Sequence, residues 1–246
     1  MSSKNRLDRA YKSAKRITFD DTSKFILFSD CHRGDNSFAD DFANNRNIYF
    51  HALEHYYSED FSYCELGDGD ELWENLSFDS ILNAHKNVYM LMKQFHEQER
   101  LHMIWGNHDM VYRDPKYVKK HLSAFFDPKT GKNEDLFCGI KYNEGIVLQH
   151  SETKQELFLT HGHQADWWNY LFWKWSRFMV RVLWKPLNVM GIADPTSPAK
   201  NYKELIKVER RTKKWITEKD NLITVVGHTH RPRFPEPGDI AFFNDG

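Results

Sequence analysis

The 246 residues are 40% hydrophobic and 28% charged, a composition that suits a domain-sized buried core and argues against a disordered chain. Thirty-four Lys and Arg against thirty-five Asp and Glu leave a formal net charge of −1, so no overall field attracts a polyanion and a general nucleic-acid binder is disfavoured. Cys31, Cys64 and Cys138 are odd in number and widely spaced, which fits neither a disulfide framework nor a thiolate zinc site and suggests a reducing, cytoplasmic setting.

In chain order, the basic opening MSSKNRLDRAYKSAKR lacks the apolar stretch of a signal peptide, and no run of about 18 apolar residues follows anywhere. Short β-branched and aromatic runs predict strands at Phe25–Ser29, Ser62–Leu66 and Leu101–Trp105. Between them, Phe38–Ser58 and Phe78–Arg100 carry apolar residues at helical spacing. Strand and helix alternate, which predicts an α/β layered fold. Gly145–His150 and Leu157–Thr160, separated by SETKQE, read as a hairpin feeding a second, antiparallel or mixed sheet, and Leu222–Val226 predicts a further strand. No repeat or linker divides the chain, so residues 1–246 are expected to form one domain. The closing FFNDG follows an expected strand, which leaves open whether the chain is truncated there.

Five strands run directly into polar groups: SDCHRGD, GDGDE, GNHD, THGH and GHTH. In open α/β sheets ligand sites gather beyond the carboxyl ends of strands, so these groups can meet in one place. Each cluster alone is weak, since Gly-Asp is usually a turn and a strand-end His is usually solvated. GNHD and GHTH are each expected by chance in about one chain in a thousand of this length, and all five together in this order are not coincidence. Asp30 and His32 stand two apart, so alternation places them on one face and sends Cys31 to the core. The donors Asp30, His32, Asp68, Asn107, His161, His228 and His230 are carboxylate, amide or imidazole. That mixture suits Mn, Fe, Zn, Co or Ni. Seven ligands exceed the need of one ion. Two ions about 3.5–4 Å apart, bridged by a carboxylate, would serve in-line displacement at phosphorus.

The order DxH, GD, GNHD, HGH, GHTH, from about Phe25 to the chain end, closely resembles the calcineurin-like metallophosphoesterase superfamily. The resemblance implies a four-layer α/β sandwich of two mixed sheets flanked by helices, with a helical insertion at about 165–219. It implies two divalent cations, Mn(II) first among the metals. One would be held by Asp30, His32, Asp68 and His230, the other by Asp68, Asn107, His161 and His228. His108 would then donate to a phosphoryl oxygen or the leaving group, Asp109 would orient that ring, and a metal-bridging hydroxide would attack a phosphoester or pyrophosphate. Alternatives within the enzymes are a protein or small-molecule phosphomonoesterase and a nuclease. A catalytically silent scaffold of the same fold is the alternative from another class, and it usually lacks ligands that are all present here.

Residues Ala165–Pro186 form the least ordinary stretch, ADWWNYLFWKWSRFMVRVLWKP. At helical spacing Trp167, Trp168, Leu171, Phe172, Trp175, Phe178 and Met179 share a broad apolar arc, with Trp173 and Trp184 on a second stripe and Arg177 and Arg181 in a basic ridge. A doubly buried helix, a lid for a greasy substituent touching the inner face of a membrane, and a dimer interface are the three readings. With GHTHRP and the overall size, this stretch is similar to the UDP-2,3-diacylglucosamine pyrophosphatases. That similarity implies a nucleotide- or lipid-linked phosphate substrate. Those enzymes typically carry arginine where His108 stands, and their second half differs from Pro195–Glu204. His163, Arg33, Arg113, Lys200, Arg231 and Arg233 are the candidates for holding the rest of a substrate.

Overall fold

The computed structural model describes residues 2–166, 202–230 and 242–244. Helix α1 (Ser3–Lys12) starts where the Ser2 hydroxyl accepts the Asn5 backbone N–H at 3.2 Å, and it buries Arg6, Leu7 and Ala10. Its apolar stripe is only two residues wide, too sparse a pattern to have predicted a helix. Strands β1 (Lys15–Phe19) and β2 (Phe25–Phe28) follow, then helix α2 (Arg46–Ser58) and strand β3 (Ser62–Leu66). Helices α3 (Phe78–Ala84) and α4 (Lys86–Glu97) lead to β4 (Leu101–Ile104). Helix α5 (Pro115–Leu122) begins at Pro115 beneath an Asp114 cap.

The helical stretches expected at Phe38–Ser58 and Phe78–Arg100 are each interrupted, and one carboxylate takes part in both interruptions. Asp40 accepts backbone N–H groups from Gly34, Asn36 and Phe42, which commits residues before Arg46 to turns. The same carboxylate meets His85 Nε2 at 2.8 Å, where φ of −124° breaks α3 from α4.

After the hairpin β5 (Ala124–Asp127) and β6 (Lys132–Asp135) come β7 (Tyr142–Asn143), β8 (Ile146–His150) and β9 (Glu156–Thr160). Helix α6 (Tyr202–Ile216), β10 (Leu222–Val226) and β11 (Phe242–Asn244) complete the described elements. Strands β2-β3-β4-β7 form a parallel sheet, joined through helical crossovers as parallel pairing requires. Strands β1-β8-β9-β10-β11 form a mixed sheet in which β8 and β9 are the expected antiparallel pair. The fold is therefore mixed α/β with two principal sheets.

Alternation along the strands divides the apolar residues among three clusters. Tyr63, Leu101 and Met103 pack with Leu53, Phe78, Met92 and Phe95 from the helices outside the parallel sheet. Cys64, Leu66, Ile104, Ile146, Leu148, Leu159 and Val225 pack between the sheets. Val147, Phe158 and Val226 pack with Leu7, Ala10, Trp215 and Ile216 from α1 and α6. Of the expected insertion over 165–219, α6 is helical, whereas residues 167–201, with Trp173 and Trp184, lie outside the described residues.

His102 sits on the inter-sheet side of β4, with its Nδ1 3.2 Å from Lys15 Nζ of β1. Burial first, then the Lys15 charge, lowers its pKa to about 4. Above pH 6.5 the ring is neutral both folded and unfolded; between 6.5 and 4 only the unfolded chain takes the proton, so stability falls as pH falls. His102→Gln is expected to lose less stability than the parent between pH 7 and pH 5, read from urea midpoints at both values. Parallel curves for the two proteins would contradict the assignment.

Candidate metal centre

The polar ends of β2, β3, β4, β9 and β10 converge, and the backbone turns sharply to allow it. Asp30, His32, Asp68, His228 and His230 all have left-handed φ, between 48° and 76°. Such conformations cost of order 1 kcal/mol or more for residues with a Cβ and persist only where the surroundings enforce them, which is characteristic of functional sites. Glycines allow the turns to nest. A Cβ at Gly106 would lie 2.1 Å from Asp68 Oδ1, and one at Gly227 would lie 2.4 Å from Asp30 Oδ2. Backbone bonds from Asp30 N to Gly67 O and from His32 N to Asp68 O lock the first two turns together.

Three donor groups among the described residues have their ligand atoms within 4.8 Å of one another; two hold expected ligands, Asp30, His32 and His230 first and Asp68, His161 and His228 second, and the third is His32, Glu71 and His108. In the first, His230 Nε2 lies 3.1 Å from Asp30 Oδ1 and 3.3 Å from His32 Nε2. In the second, His161 Nε2 lies 3.1 Å from both Asp68 Oδ2 and Asn107 Oδ1, which brings the expected amide ligand into place. His161 Nδ1 faces the Leu66 carbonyl at 3.0 Å, so that nitrogen carries the hydrogen and Nε2 is left as the donor atom. Asp68 Oδ2 is also 4.0 Å from His32 Nε2, while its Oδ1 accepts the His108 backbone N–H. The carboxylate thus stands between the groups. All seven expected ligands meet here, and both groups have the chemistry to hold a metal.

The two groups differ in access. Asp68, Asn107, His161 and His228 are buried, whereas the side chain of His230 is 37% exposed and that of His108 is 23% exposed. The first group and the His108 ring are therefore the parts of the centre open to solvent. Burial opposes charge throughout, yet Asp68 and Asp30 hold the His161 pKa up to about 9, and His161 and His230 hold Asp30 down to about 2.

Two expected roles are corrected. Asp109 does not orient His108: its oxygens accept Gly69 N at 3.0 Å and Gly106 N at 2.6 Å, and burial, then the Asp68 charge, pushes its pKa up to about 8. His108 Nδ1 meets Glu71 instead, at 2.9 Å from Oε1 and 2.7 Å from Oε2, while Trp73 stacks on the ring at 4.2 Å. Glu71 and Trp73 were missed because nothing separates them from an ordinary turn except position, three and five residues after Asp68. Arg33 does not hold substrate. It is wholly buried, with Glu65 bidentate at 2.6 and 2.7 Å and Asp70 at 2.9 Å, beneath the hydroxyls of Tyr63, Tyr89 and Tyr112. A conformationally hidden partner, Glu65 inside β3, made this basic residue look like a surface charge.

His163 is fully buried between Trp105 and His161, so it borders the ligands without reaching substrate. Arg113 is exposed, 6.0 Å from the Trp105 ring. Lys200, Arg231 and Arg233 lie outside the described residues. Cys31 packs against the core as expected, and burial raises its thiol pKa. Asp166, also unforeseen, brings Oδ2 to 3.5 Å from His228 Nε2.

No protein-family model matches the chain, and a search of curated proteins returns no match.

Two measurements follow from these contacts. Arg33→Met strands Glu65 and Asp70 in the core and is expected to cost about 3–5 kcal/mol by urea denaturation, a loss that a substrate-holding surface arginine would not produce. His161 carries a proton below pH 9 that a cation must displace, so metal affinity is expected to weaken about tenfold per pH unit for each proton displaced. Calorimetric titrations in buffers of different ionisation heat measure that release, and a value of zero at pH 7 would contradict it.

Proposed function

We propose that the chain is a dinuclear metal-dependent phosphohydrolase of the calcineurin-like type, acting on a phosphoester or pyrophosphate. The observation that carries this reading is the meeting of Asp30, His32 and His230 with Asp68, Asn107, His161 and His228 across a shared carboxylate, most of them in left-handed turns. The two principal sheets, with helices packed outside each, support the four-layer reading. The donor set fits two cations of the Mn, Fe or Zn kind, with Mn(II) the first to try. Bound there, the cations would lower the pKa of a water and neutralise charge on phosphoryl oxygens.

The chain's own residues do the rest. Asp68 is held through Oδ1 by the His108 backbone and turns Oδ2 towards His161 and His32, as a shared ligand must. His108 is partly exposed, and Glu71 and Asp68 hold its pKa up to about 9 against the effect of burial. Its ring can donate a proton to a phosphoryl oxygen or to the departing group. Asp109 fixes the turns that carry Asp68 and Asn107 by tying Gly69 N to Gly106 N. The complete ligand set favours an enzyme over a silent scaffold. A nucleotide- or lipid-linked phosphate at a membrane's inner face is the proposed substrate class. No helix among the described residues is long and apolar enough to cross a membrane.

Hydrolysis of a chromogenic phosphodiester and of the matching monoester with added Mn(II) tests this. Asp68→Asn is expected to lose metal and turnover together, whereas His108→Ala should keep both ions and slow turnover by about two to four decades. A parent that binds no metal and cleaves neither ester would refute the proposal, and metal lost with His108→Ala would refute the role of that ring.

A further inference from the structure

Helix α1 supplies no ligand to the metal centre, yet its buried arginine reaches the turn that carries His161 out of β9. Beyond His161, Gly162 takes a φ of 104°, and the chain makes a single 3-10 turn over His163–Ala165 before it reaches Asp166. His163, Gln164 and Ala165 are fully buried. The turn is tied internally: Gly162 N donates to Gln164 Oε1 at 3.1 Å, Ala165 N to Gly162 O at 2.9 Å and Asp166 N to His163 O at 2.9 Å. Its two ends flank His228, whose ring centroid lies 5.0 Å from that of His161 and whose Nε2 lies 3.5 Å from Asp166 Oδ2.

A helix of one turn leaves its last carbonyls without intrahelical partners, and in a buried turn bulk water does not serve them. Here the donors are side chains of α1 and α6. Arg6 Nε donates to Gln164 O at 2.7 Å, across 158 residues of sequence. Arg6 Nη2 donates to Ser3 Oγ at 3.0 Å, and that hydroxyl donates to Ala165 O at 3.3 Å, so one guanidinium serves both carbonyls. Arg211 of α6 adds a bond to Ala165 O at 2.8 Å. Arg6 is itself fully buried, and Leu7 beside it packs with Val147, Phe158 and Val226 of the mixed sheet. Burying a guanidinium is costly, and an apolar side chain of that length would fill the space without the cost, so what Arg6 adds is its charged donors.

We propose that Arg6 is a positioning residue for the buried donor group: through the carbonyls of Gln164 and Ala165 it fixes the turn 162–166 and so the setting of His161 and Asp166 about His228. The group of Asp30, His32 and His230 takes no ligand from this turn and does not depend on it. The consequence for metal binding rests on the two-ion reading; the hold on the turn does not.

Three variants separate the possibilities. Arg6→Met removes the donors and keeps an unbranched stem, Arg6→Lys keeps a charged donor, and Ser3→Ala cuts only the relay to Ala165 with a residue that favours the helix. Amide hydrogen exchange of the metal-free proteins is read at Gly162, Ala165 and Asp166, with Gly69 and Gly106, whose amides Asp109 holds, as the reference. Stoichiometry and affinity for Mn(II) and Zn(II) are read next. In Arg6→Met the three amides of the turn should exchange about tenfold faster with the reference amides unchanged. One ion, the one that His161→Ala removes, should bind about 10–100-fold more weakly, while the other keeps the parent's affinity. Arg6→Lys should recover most of both effects. Ser3→Ala should move the same readings by about fivefold, the worth of one hydrogen bond.

A folded Arg6→Met with the parent's exchange and affinities overturns the proposal. So does one in which Gly69 and Gly106 exchange faster by the same factor or both ions weaken alike, as a helix that merely supports the fold would produce. An Arg6→Lys no better than Arg6→Met would place the effect in packing and overturn it as well. If Arg6→Met does not fold, Ser3→Ala decides: the selective change supports the proposal, and its absence overturns it. A parent that binds no metal, with the selective exchange change in Arg6→Met, would refute the two-ion reading while leaving the hold of Arg6 on the turn intact.

Discussion

The architecture depends on a steric constraint: at the ends of its central strands the chain turns through left-handed backbone at residues that carry side chains. Asp30, His32, Asp68, His228 and His230 pay that conformational cost together. The sheets make it tolerable because the turns support one another through backbone bonds such as His32 N to Asp68 O and through the carboxylate of Asp109. A strand end that simply ran out into solvent would relax to extended backbone and scatter the same side chains. Here the left-handed turns carry the Asp and His side chains of the candidate metal centre.

Beneath that surface lies a second polar layer with the opposite character. Arg33, Glu65 and Asp70, with Tyr63, Tyr89 and Tyr112, satisfy one another inside the core. Such a network gains little over apolar packing in free energy, yet it has few alternative arrangements. Its members alternate in sequence with the site: Arg33 follows His32, and Asp70 precedes Glu71. Fixing the backbone of the buried residues fixes the adjacent ones that face outward. The rigid layer and the reactive layer are the two faces of the same turns.

Much of this was legible in the sequence, for identifiable reasons. Ser62–Leu66 and Leu222–Val226 appear with the bounds expected, because each run ends at a glycine-led polar turn, Gly67–Asp68 and Gly227–His228. The residues that meet at the candidate metal centre were legible as a group because metal chemistry restricts residue type and strand ends restrict place. Helix α1 was not, since its stability comes from packing on Trp215 and Phe158, more than 140 residues away. Glu71 was passed over for Asp109 because adjacency to His108 suggested a partner that geometry denies: residue 109 turns back to the Gly69 and Gly106 amides. Arg33 shows the same limit, since composition cannot tell an exposed cation from one whose counter-charges lie inside a neighbouring strand.

The contact between His228 N and the Asp30 carboxylate closes a loop of 198 residues. Asp8 and Lys219 close another, 211 residues apart. A donor set assembled from positions so distant does not exist until the ends of the chain have been brought together. Cations that recognise this set recognise only the finished structure. A cation bound by this set would act on stability as any ligand of the native state does, raising it with the logarithm of its free concentration.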